Sequence, residues 1–172
     1  MSGTKSASGT ARGADGGAAR ILTRLGIDWP LGTRQPSWWR FLIATAVAIG
    51  GSLLACRLLV VAGESVFPST VGYGHFAFAD YAKLTVVGVL LACLAWPVVT
   101  LVAGHAARLF FWLTVIVTVV SFAPDVWVWH LGQAADGVFV LAVMHVAVAV
   151  VTYPALVLIA PQRDSRARVQ EA

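Results

Sequence analysis

Residues 109–131, LFFWLTVIVTVVSFAPDVWVWHL, are apolar enough to sit in a bilayer, yet they carry Thr114, Thr118, Ser121 and Asp125. Those four are spaced by 4, 3 and 4 residues, which at about 100° per residue puts them on one narrow helical face. A carboxylate inside a membrane span is costly, so it faces protein or water and needs a partner. Pro124 lacks an N–H and disturbs the helix about one turn earlier. A helix stopping at Phe122 would be too short to cross, so a kinked helix continuing to Leu131 is expected.

The whole chain fits that reading. It has 172 residues, 59% hydrophobic and only 12% charged, with mean hydropathy +0.81. Soluble domains carry roughly 25% charged residues. With both hydrophilic ends set aside, about 120 residues remain, enough for four spans of about 20. The fold class expected is therefore all-α: an integral membrane four-helix bundle. Cys56 and Cys93 lie in apolar runs and read as small packing residues without a disulfide framework.

Outward from the opening stretch, Gly104–Arg108 is a tight connection, so the preceding span, about 82–103, is expected to be its antiparallel neighbour. Pro97 is expected to kink that span, with Lys83 snorkelling at its far end. The first span, about 41–62, repeats small residues at steps of four, Ala44, Ala48, Ser52 and Cys56, with Ala46 and Gly50 beside them. Small residues let helix backbones approach closely. Arg57 lies seven residues after Gly50, and on that ground is expected to point into the bundle. Residues 63–81 form a Gly- and aromatic-rich loop. The fourth span, about 138–160, holds His145 and Thr152 one heptad apart.

The ends are different. Residues 1–38 form a basic tail, expected to be disordered through its first 19 residues, with Arg20 and Arg24 on a short stretch suited to an interfacial helix or a solvated linker. No secretory signal peptide is expected. Residues 162–172 form a second basic tail. Lys5, Arg12, Arg20, Arg24, Arg34, Arg40, Arg108, Arg163, Arg166 and Arg168 fall on the side shared by both termini, and only Arg57 and Lys83 fall toward the other. That asymmetry predicts cytoplasmic termini and contact with anionic lipids at the cytoplasmic face, and it assigns the basic charge to topology, not to nucleic acid.

Depth brings three ionisable residues into one layer. Counting ~1.5 Å per residue from the expected span ends, Arg57 lies ~8 Å deep, Asp125 ~9 Å and His145 ~11 Å. Lys83 and His130 sit nearer the surface, and Thr118 and Ser121 share the face of Asp125. One reading makes Arg57, Asp125 and His145 the lining of a polar cavity for an anion, a lipid headgroup or a proton. The other makes Arg57 and Asp125 a buried ion pair, with His145, Thr118 and Ser121 supplying interhelical hydrogen bonds. Neither phosphate loop, nucleophile elbow nor Cys/His ligand spacing is present, so no enzyme activity, cofactor or metal is expected.

The basic connection between spans two and three, the SFAPD segment at 121–125, and LAVMHVAVAVVTYPAL at 141–156 together resemble a family of small four-span actinobacterial membrane proteins of unknown function. The resemblance covers roughly 40–160. It implies an uncharacterised membrane protein and supplies no catalytic residues. The functional expectation is a non-enzymatic accessory or structural membrane subunit, or alternatively a small oligomeric transporter or channel for an ion, proton or lipid. A homo-oligomer or a place in a membrane complex goes with either.

Overall fold

The computed structural model describes residues 35–163. The basic stretch around Arg20 and Arg24, and the tail carrying Arg166 and Arg168, lie outside the described residues. Among the described residues, four long helices make up the bundle: α1 (Trp38–Val66), α2 (Phe78–Val102), α3 (Ala106–His130) and α4 (Ala135–Pro154), the last continuing as a widened π-helical turn, Ala155–Ile159. All four are long and apolar enough to cross a membrane. At 1.5 Å per residue a 25-residue helix such as α3 spans ~37 Å, more than the ~30 Å hydrocarbon core.

Every span is longer at its start than the sequence suggested. The α1–α2 link shrinks to residues 67–77, held as two 3-10 turns, Pro68–Thr70 and Gly74–Phe76. Consecutive helices alternate in direction, so residues 35 and 163 lie at the same end of the bundle, here the terminal side. The opposite end is the loop side. Trp38 and Trp39 stack on each other at the terminal side, and Trp127 and Trp129 stand out near the loop side. Aromatic residues at both ends suit the two membrane–water interfaces.

The repeat of small residues in α1 decides the packing. Ala44, Ala48, Ser52 and Cys56 are all buried, and the stripe continues through Val60 and Gly63. α1 packs most closely on α4, then on α2, while α3 packs chiefly on α4. Close approach is literal at Gly63, where an added Cβ would come within 2.9 Å of Val140 Cγ2. Ser52 and Thr152 share a hydrogen bond of 3.3 Å in the α1–α4 seam. α3 is the least enclosed helix, burying only Ala106, Phe110 and Asp125.

Two apolar clusters fill the interior. The terminal-side cluster gathers Ala44, Ala48, Cys93, Trp96, Phe110 and Leu156, with Trp96 edge-on to Phe110. The loop-side cluster joins Cys56, Val60, Tyr81, Val140 and Met144 to Phe76 of the link. The terminal side is then tied by polar side chains. Gln162 Nε2 donates to the carbonyls of Ala103 (2.7 Å) and Thr100 (3.1 Å), and its Oε1 accepts from the N–H of Ala106 (3.3 Å). One amide thus satisfies orphan groups at the end of α2 and the start of α3.

The prolines do not end their helices. α2 runs through Pro97 and α3 through Pro124 to His130. At Pro154, α4 widens into the π turn, and the carbonyls at its end are taken up from other helices. Arg40 Nε donates to Ile159 O (2.7 Å) and Trp96 Nε1 to Ala160 O (2.8 Å). After His130 the chain turns through Gly132, whose φ of +89° favours glycine. Gln133 N–H bonds Val128 O and Gly132 N–H bonds Trp129 O, a Schellman closure of α3.

Candidate functional site

Asp125 and His145 meet across α3 and α4. Asp125 follows Pro124 and points inward, only 6% exposed. His145, half-buried one residue after buried Met144, faces it with Nδ1 3.1 Å from Oδ2. The same Nδ1 lies 3.0 Å from the carbonyl of Leu141, one turn earlier in its own helix. A carbonyl can only accept, so Nδ1 carries the hydrogen and the imidazole donates from that nitrogen. The N–H is directed at Leu141. Among the described residues, Asp125 Oδ2 has no hydrogen-bond donor despite its ion-pair distance to the ring.

The polar layer expected from depth is only partly assembled. Arg57 is exposed on α1 and has no acidic partner within ion-pair distance among the described residues. The inference that placed it inside used Gly50 as an interface marker. Gly50 is itself exposed, with nothing near an added Cβ, so both residues share a face that looks outward. The buried Arg57–Asp125 pair is therefore corrected to Asp125–His145. Lys83 is likewise exposed near the loop-side end of α2.

Thr118 and Ser121 do share the face of Asp125, but they are not interhelical links. Thr114, Thr118 and Ser121 each donate to the carbonyl four residues earlier, Phe110, Thr114 and Val117, all at 2.8 Å. A hydroxyl in a helix can return to its own backbone, and here that option wins. The face remains, but its hydroxyls are already satisfied.

Sequence reasoning missed what the α1–α2 link contributes. Tyr73 packs its ring against Gly137, where an added Cβ would sit 3.0 Å from Tyr73 Cζ. Its hydroxyl is buried with no hydrogen-bond partner among the described residues. Burial pushes the Tyr73 phenol above its ordinary pKa, and the charge of Asp125 adds to the rise. His75 stacks edge-on to Tyr73 at 5.3 Å and is the second imidazole within electrostatic reach of Asp125. Ser69 anchors the link by donating to Asp136 Oδ2 at 2.8 Å in the first turn of α4. Only the local GYGHF pattern at 72–76 hinted at a structured, aromatic link.

These features define a multi-pass membrane bundle whose Asp125–His145 contact lies in its loop-side half. The chain belongs to DUF6069, a family of unknown function whose model matches residues 33–161. It matches no curated protein and no solved structure.

Proposed function

We propose that this chain is a non-enzymatic accessory or structural subunit of a membrane complex, residing in the bacterial cytoplasmic membrane with both termini cytoplasmic. The observation carrying this reading is the contrast between the two halves of the bundle. Asp125 and His145 occupy the loop-side half, whereas the terminal-side half is filled by the apolar cluster around Trp96, Phe110 and Leu156. In this reading a single copy offers Asp125 and His145 no polar route across. The pair instead serves to hold α3, which buries little else, against α4. The excess of Lys and Arg on the terminal side supports the orientation and contact with anionic lipids there. Nucleic acid is not a partner in this reading.

The alternative is a small oligomeric transporter or channel. It draws support from the buried Asp125 oxygen without a hydrogen-bond donor, and it requires a path formed between copies. Purification from the source cell into native nanodiscs, followed by mass spectrometry, separates the two. A different protein at fixed stoichiometry supports the subunit role. A homo-oligomer carrying only lipid overturns it in favour of transport, to be tested by uptake in liposomes with Asp125→Asn.

A further inference from the structure

We propose that the loop-side groove between α3 and α4 binds a lipophilic organic cation, with Asp125 as its counter-charge and aromatic rings as its walls. The groove has a volume of about 350 Å³ and is lined by Phe122, Asp125 and Trp129 of α3 and by Val138, Phe139 and Ala142 of α4. Its volume falls in the range of small-molecule sites, roughly 300–1,000 Å³. The helical spacing explains the wall. Residues 122, 125 and 129 form one stripe of α3, and 138, 139 and 142 form the facing stripe of α4.

Charge selects the ligand class. Asp125 is the one charged residue in the lining, and its Oδ2, turned toward His145 at 3.1 Å, has no hydrogen-bond donor among the described residues. The neighbouring His145 N–H is directed at the Leu141 carbonyl. An anion in this groove meets the carboxylate with no cation in the wall to offset it. A small, strongly hydrated ammonium loses its water shell against walls that replace little of it. A cation carrying its charge beneath apolar substituents avoids that loss, and it gains attraction from the π faces of Trp129, Phe139 and Phe122. Trp129 and Phe139 are exposed at the groove, so both rings are free to pack on a ligand. An acyl chain also fits apolar walls, but it draws nothing from Asp125.

The test uses the full-length chain in dodecyl maltoside, with tetraphenylphosphonium as probe and tetraphenylborate as the anion of matching shape. Isothermal titration above the protein-free micelle background is expected to show saturable phosphonium binding, one per chain, and no saturable borate binding. Asp125→Asn is expected to weaken phosphonium binding about tenfold or more, and Phe139→Ala by about threefold to tenfold. Equal binding of the two ions, absence of saturable phosphonium binding, or wild-type affinity in Asp125→Asn overturns the proposal. If Asp125→Asn does not fold, Phe139→Ala and the borate comparison decide. Phe139 is an exposed ring whose removal leaves the buried clusters intact, so undiminished phosphonium binding in that variant overturns the proposal as well.

Discussion

His145 Nδ1 stands 3.1 Å from Asp125 Oδ2 and 3.0 Å from the carbonyl of Leu141, so one ring nitrogen of α4 faces both a carboxylate of α3 and its own backbone. Removing the ring leaves a buried carboxylate alone. His145→Leu is expected to destabilise the bundle by about 1–3 kcal/mol, the lower part of the cost of breaking a buried pair because His145 is only half-buried. His145→Leu combined with Asp125→Leu is expected to recover part of that loss. Thermal melts of the wild type, His145→Leu and the double variant in one detergent check this. Equal melting of all three would remove the pair from the stability of the fold.

Arg57 supplies the contrast. Because it is exposed on α1, Arg57→Gln is expected to change stability by less than about 0.5 kcal/mol, as exposed substitutions usually do. The same melts read it out. A drop as large as that of His145→Leu would put Arg57 back inside the polar site.

Two glycines of α1 should respond oppositely to alanine. At Gly63 the new Cβ meets Val140 Cγ2 at 2.9 Å, and a β-branched neighbour has little rotamer freedom to yield. Gly63→Ala is expected to cost about 1–3 kcal/mol through overpacking. At Gly50 nothing lies within 4 Å, so Gly50→Ala is expected to be neutral or stabilising by up to about 1 kcal/mol. Unfolding in a graded denaturing detergent distinguishes the two.

Gln162 holds three backbone groups at the α2–α3 turn. Gln162→Ala is expected to cost about 1–3 kcal/mol and to speed hydrogen exchange at the Ala106 amide. Unchanged exchange at Ala106 would show that the side-chain bond protects nothing.

Tyr73 reports on Asp125 through pH. Burial and then the Asp125 charge raise its folded-state pKa, so the fold favours the neutral phenol. The associated stability is present below the ordinary tyrosine range and is lost as pH rises through the raised value. Absorbance titration against Tyr73→Phe should place Tyr73 above the ordinary tyrosine range, and Asp125→Asn should lower its midpoint. A midpoint indifferent to Asp125→Asn would contradict their proximity.

Much of this architecture was legible in the sequence because it rests on period and length. The step-of-four run from Ala44 to Cys56 marked the buried stripe of α1, since only small residues permit that approach to α4. Asp125 and His145 could be matched by depth for the same reason: rise per residue is fixed. Direction is not fixed in that way. Gly50 is small and faces outward, so the residue sharing its face, Arg57, was misplaced with it. Hydroxyl partners were also illegible, because Thr118 and Ser121 choose between their own backbone and a neighbour only once the helices are docked. Tyr73 and His75 were missed because the 67–77 link gains its place from tertiary contacts such as Tyr73 on Gly137.

The widened turn after Pro154 divides α4 into two mechanical parts. Its shaft, down to Pro154, carries His145 and packs on both α1 and α3. Its foot, Ala155–Ile159, leans on α1, and the carbonyls at its end are gripped by Arg40 and Trp96. A tilt of the α3–α4 hairpin would therefore bend the chain at Pro154 and carry the loop-side groove along whole, while the terminal-side floor stayed where α1 and α2 hold it.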